Sequence, residues 1–184
     1  MSSLELYSPT DLSDALHFIE REDKNVAVIA SGTDLMPRMR KRQISPSVLL
    51  DISSFREDLR FIRHSGGAVH LGALTTITDL LESPVFQGKL SVIREAAMLF
   101  GAPQIRNVAT VGGNVCSAAS SEDLIPVFMA LGAEARLVSA RGDRIVPLKD
   151  FVVGKRATVM RPSEISLKSC SLLRRATAGP RTRS

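Results

Sequence analysis

The 184-residue chain has no tryptophan, one tyrosine and two cysteines, Cys116 and Cys170. Two thiols cannot hold an iron–sulfur cluster that needs four, and no Cys/His set has zinc spacing, so no metal site is expected on this chain. A disulfide is not expected in a reducing compartment. The histidines His17, His64 and His70 stand on predicted helix or strand surfaces with no partner pattern and read as solvated. No apolar run approaches the ~20 residues of a membrane span, and the segment from Met1 to Leu6 lacks the blocks of a signal peptide. A cytoplasmic location is therefore expected. The net charge of +5 invites a nucleic-acid partner, but five of the 24 basic residues lie in 166–184, where there is no acid. The other 19 balance the 19 acids, and no basic stripe interleaves with aromatics, so nucleic acid is not expected.

What is present is an ordinary globular mixture, 44% hydrophobic and 23% charged, long enough for one domain or two small ones. A strand over 4–7 leads to a helix capped at Ser8, with Pro9 in its first turn and Asp11 three residues after the cap. Residues 25–30 form an unbroken apolar strand of the buried parallel kind, followed by the turn Ser31 to Asp34 and a helix over 35–42 that ends in Arg38, Arg40, Lys41 and Arg42. A strand over 48–52 follows, then a hairpin over 59–72 that turns at Gly66 and Gly67. A helix over 90–100 stops at Gly101, and a hairpin over 134–147 comes later.

Between two apolar helical runs lies a polar, glycine-bearing loop, Gln104 to Asp123. Its small side chains let backbone approach a ligand, and loops this long usually carry function. Thr110, Asn114 and Ser117 offer hydroxyl and amide groups beside Gly112 and Gly113. Ser120 or Ser121 is expected to cap a helix over 122–131, with Glu122 and Asp123 in its first turn. Asp123 either complements that helix dipole or also accepts hydrogen bonds from ribose hydroxyls. Upstream, the strand running into Ser31 to Asp34 makes a turn suited to an anion, although a single glycine is no dinucleotide fingerprint.

Two stretches, Val28 to Leu35 and Gly101 to Asn114, stand in an order and spacing that closely resembles the flavin domain of the molybdenum hydroxylases, the xanthine and carbon monoxide dehydrogenase family. The resemblance covers roughly Tyr7 to Ile165. It implies an α+β FAD-binding fold of the PCMH/vanillyl-alcohol-oxidase type, with two α/β subdomains at 1–54 and 55–165. It implies that Ile29, Ala30, Ser31, Gly32, Thr33 and Asp34 line the pyrophosphate, and that Thr110, Gly112, Gly113 and Asn114 complete the cradle. Ser117 and Asp123 would meet the adenosine side, and Phe100 the flavin ring. No catalytic side chain is implied. Electrons would reach FAD from iron–sulfur clusters on a small subunit, themselves reduced by a molybdopterin large subunit, and pass to NAD or another acceptor.

Three positions depart from the family pattern. Ser31 replaces the first of two adjacent glycines, which matters if that position needs positive φ. Glu122 stands where a small or hydroxyl residue is common, and Ser120 where proline is. After Ile165 the pattern ends abruptly; the family's C-terminal domain is missing, and residues 166–184 read as a disordered basic tail from a shifted reading frame. The missing layer is expected to expose apolar surface at Phe151, Val152 and Val153. The alternative is a flavin-domain remnant acting only in assembly. A different flavin oxidase with covalently held cofactor would need a His or Cys beside the ring.

Overall fold

The computed structural model describes residues 4–22, 25–119 and 123–173, with side chains as far as Ser166. The chain runs β1 (Glu5–Tyr7), α1 (Leu12–Arg21), β2 (Val26–Ile29), α2 (Leu35–Arg40), β3 (Val48–Asp51), α3 (Arg56–Leu59), β4 (Ile62–Ser65), β5 (Ala68–Gly72), α4 (Ile77–Glu82) and α5 (Ser91–Leu99). It continues through α6 (Pro103–Arg106), α7 (Val111–Ser117), α8 (Leu124–Ala130), β6 (Glu134–Ser139), β7 (Gly142–Pro147), α9 (Leu148–Phe151), β8 (Val152–Gly154), β9 (Ala157–Thr158) and β10 (Ile165–Leu173).

Strands β1 and β2 flank β3 in a three-stranded parallel sheet. Central β3 buries Val48, Leu49 and Leu50, whereas all four residues of β2 are half-buried. The fully buried strand expected at 25–30 is thus an edge strand, and its open side is free to face a ligand. Helix α1 packs Ala15, Leu16 and Ile19 against Leu50 and Ile52. Its cap is Asp11, which accepts from the Asp14 N–H, and not Ser8; the Asp14 carboxylate instead bonds Tyr7 Oη and the Thr10 N–H. Phe55, Leu59, Leu74 and Ile165 join the same core, so the later part of the chain completes the packing of the first sheet.

The second sheet is antiparallel, in the order β4-β5-β10-β6-β7. Leu71, Ile77, Phe86, Ile93, Phe128, Leu137 and Phe151 fill its core. Phe86, Phe128 and Phe151 are each fully enclosed, and each contributes about 1.5–3 kcal/mol by leaving water.

The disordered tail expected from residue 166 is not what the structure gives: β10 continues to Leu173, between β5 and β6. Apolar residues alternate at Ile165 and Leu167, then resume in the opposite phase at Cys170 and Leu172. The register slips against β5 between Lys168 and Cys170, and against β6 between Ser166 and Lys168 and again between Lys168 and Ser171, as a bulge requires. A one-residue phase change hid a strand that occupies the middle of its sheet. Residues 174–184 lie outside the described residues.

The apolar surface expected at 151–153 is also corrected. Phe151 is core and Val152 half-buried, leaving Val153 exposed. A β8/β9 hairpin not anticipated from the sequence follows Phe151 and brings Arg156 back across the molecule.

Candidate functional site

A cleft of about 400 Å³ opens between the β2–α2 turn and α7. Of the predicted site residues, Ile29, Ala30, Ser31, Gly32, Thr33 and Asp34 line one wall. Thr110, Gly113, Asn114 and Ser117 line the opposite wall, and Phe100 and Asp123 also line the cleft. Gly112 does not line the cleft: it is buried, and its N–H is taken by the Ala73 carbonyl at 2.9 Å. The volume falls in the range of small-molecule and cofactor sites.

The first wall is an irregular turn where β2 stops pairing. Among the described residues, the backbone N–H groups of Ser31, Gly32 and Thr33 have no protein acceptor. Gly32 holds φ at +73°, and a Cβ there would come within 2.8 Å of Met36 Cγ, so this position requires glycine. Ser31 has no positive φ, which removes the conformational objection to serine in place of glycine. Asp34 starts α2 without capping it; its carboxylate meets Arg156 in a two-pronged pair, Nη1–Oδ2 2.9 Å and Nη2–Oδ1 3.0 Å. Arg38 approaches the same carboxylate at 3.5 Å.

The second wall was expected to be a loop and is a helix. Thr110 caps α7 by accepting from the Gly113 N–H at 3.1 Å. The Val111 N–H goes to Thr75 O, the Gly112 N–H to Ala73 O and the Asn114 N–H to Thr110 O. These bonds, with the Thr76/Thr110 bridge, fasten α7 to the segment between β5 and α4 and offset the poor helix propensity of two glycines. The same bonds leave no N–H from 111 to 114 for a ligand. This wall presents side chains instead. Gly113 is exposed, and a Cβ there would sit 3.0 Å from Thr110 Oγ1, crowding the cap. Asn114 is only 5% exposed, and among the described residues neither its Oδ1 nor its Nδ2 has a hydrogen-bond partner. A buried amide left in that state costs about 1–3 kcal/mol per unsatisfied group, unless a ligand completes it.

Phe100, which also lines the cleft, is half-buried and follows the last turn of α5. Arg106 Nη1 donates to the Gly101 carbonyl at 2.8 Å and also reaches Phe100 O and Met98 O, fixing this edge with a cation at a helix C-terminus. Asp123 precedes α8 and makes no capping bond, so its exposed carboxylate is not committed to that helix. Ser120, Ser121 and Glu122 lie outside the described residues. Cys116 also lines the cleft; burial pushes its thiol up to about 11, which favours the neutral thiol at pH 7. Sequence reasoning missed Cys116, Ile105 and Arg156. The first two sit on helices read as loop, and no sequence signal tied Arg156 to a partner 122 residues away. Among the described residues, no group of three or more His, Cys, Asp or Glu side chains could hold a metal, and no helix is long and apolar enough to cross a membrane.

Comparison with known proteins gives this arrangement a family. Residues 2–168 match the model of the FAD binding domain in molybdopterin dehydrogenase. The nicotinate dehydrogenase FAD-subunit of Eubacterium barkeri is 34% identical over 90% of this chain and 57% of its own length. The carbon monoxide dehydrogenase medium chain of Hydrogenophaga pseudoflava is 32% identical over 89% of this chain and 57% of its own. The solved carbon monoxide dehydrogenase of Oligotropha carboxidovorans superposes with a TM-score of 0.86 at 31% identity, covering 93% of this chain and 59% of that one. The chain thus spans somewhat more than half the length of these relatives. The match over residues 2–168 places the chain in the family of FAD-binding domains of the molybdopterin dehydrogenases.

Proposed function

We propose that this chain is the FAD-binding part of a molybdopterin-dependent hydroxylase or dehydrogenase. When bound, FAD would relay electrons from iron–sulfur clusters on a partner subunit to NAD or another acceptor. The chain's own residues bind and orient. Ser31, Gly32 and Thr33 would direct backbone N–H groups at diphosphate oxygens, and Gly113 would let the ligand approach α7 without steric obstruction. Asn114 would satisfy its buried amide on the ligand, Ser117 and Asp123 would meet adenosine hydroxyls, and Phe100, braced by Arg106, would bound the flavin end. The molybdopterin large subunit and iron–sulfur small subunit are the partners this reading requires, in the cytoplasm.

The observation that carries it is the Asn114 side chain, without a partner among the described residues, in the wall of a cleft whose opposite side offers backbone donors likewise without a partner among them. Fluorescence titration of the purified chain with FAD tests it. Saturable binding of one FAD per chain is expected. A folded chain that fails to bind would favour a remnant acting only in assembly.

A further inference from the structure

The β8/β9 hairpin carries a basic residue, Arg156, to Asp34, which lines the cleft's first wall, and to Ala118, which ends the helix of the second. Its guanidinium grips the Asp34 carboxylate of the first wall through two bonds of 2.9 and 3.0 Å. Its backbone N–H donates at 2.8 Å to the carbonyl of Ala118, the residue that ends α7. Arg156 and Ala118 both hold positive φ, 56° and 43°, without being glycine. Such conformations persist only where surrounding contacts fix them. Two strained residues bonded to one another, one of them paired with Asp34 of the cleft wall, therefore mark a junction that is held in place.

The charges explain what the junction does. Asp34 stands at the turn whose N–H groups face the cleft, where an uncompensated carboxylate would repel a diphosphate. With Arg156 and Arg38 beside it, the local charge becomes positive. A planar, two-pronged guanidinium does this with fixed geometry, which a lysine cannot reproduce. We infer that Arg156 is a positioning residue for the cofactor cleft: it neutralises Asp34 and pins the Ser31–Asp34 turn to the end of α7, acting on the diphosphate through Asp34. This rests on the FAD reading above.

The test measures FAD affinity of the full chain by flavin fluorescence for the parent, R156A, R156K, D34N and the double variant R156A/D34N. R156A should weaken binding about 10-fold or more, because it leaves the carboxylate bare. R156K, which keeps charge without the fork, should weaken it by about 3-fold. D34N should stay within about 3-fold of the parent, and R156A/D34N should recover most of the loss. Unchanged binding in R156A and R156K overturns the inference. A double variant as weak as R156A also overturns it, since Arg156 would then touch the ligand directly. A ligand-free readout separates this from failure of the FAD reading: amide exchange at Met36 and Arg38, bonded to Gly32 O and Asp34 O, should quicken in R156A and R156K. If the parent binds no FAD and exchange still quickens, the clamp stands and the cofactor assignment falls. Unchanged exchange in both variants removes the clamp.

Discussion

The two walls of the cleft are built in opposite ways. The β2–α2 wall is a turn whose N–H groups at Ser31, Gly32 and Thr33 have no acceptor among the described residues and whose one charged side chain, Asp34, is already paired. The α7 wall spends its backbone donors on Thr75, Ala73 and Thr110 and leaves a buried side-chain amide without a partner among the described residues. Backbone N–H groups recognise an oxyanion whatever it is attached to, whereas a buried amide with both ends open recognises one arrangement of donors and acceptors. One wall is thus suited to hold a phosphate and the other to select what carries it.

Substitutions should break this contrast in order of size. The largest effect is expected from G32A, which forces a side chain into positive φ against Met36 and should cost about 1–3 kcal/mol of stability together with FAD binding. Thermal unfolding and FAD titration read the two losses. N114L should separate stability from binding: it removes an unsatisfied buried amide, so the ligand-free chain should be no less stable, while FAD affinity falls by about 10-fold or more. A stability loss matching the binding loss would mean that Asn114 is structural. S31G should change FAD affinity by less than about 2-fold, because Ser31 needs no positive φ.

Much of this was legible in the sequence. Gly32 and Thr33 after an apolar strand, and Thr110 to Asn114 with their hydroxyls and glycines, give both walls, because the residue types that permit close approach are few. The α7 helix was not legible, because two adjacent glycines oppose helix and only the tertiary bonds to Ala73 and Thr75 favour it. Strand β10 was hidden by the phase change at its bulge. The Asp34–Arg156 pair depends on a hairpin position that no local pattern fixes.

The smallest effect on the cleft is expected from E164Q, which acts elsewhere. The Arg144 guanidinium beside Glu164 holds its carboxyl below the usual range, with the Arg161 N–H assisting. The folded form therefore favours the ionised group, so this stabilisation is present above the unfolded value, about 4.5, and is lost as pH falls through the lower folded value. Parent and E164Q should differ in stability most near neutral pH and converge in acid, with FAD affinity at pH 7 unchanged.

The most direct test of the contrast between the walls is a two-dimensional amide NMR titration of the chain with FAD. The N–H signals of Ser31, Gly32 and Thr33 should move downfield and become protected from solvent exchange, along with the Asn114 side-chain amide, while Val111 and Gly112 keep their ligand-free protection. Large shifts at the Val111 and Gly112 amides with none at Ser31 to Thr33 would contradict it.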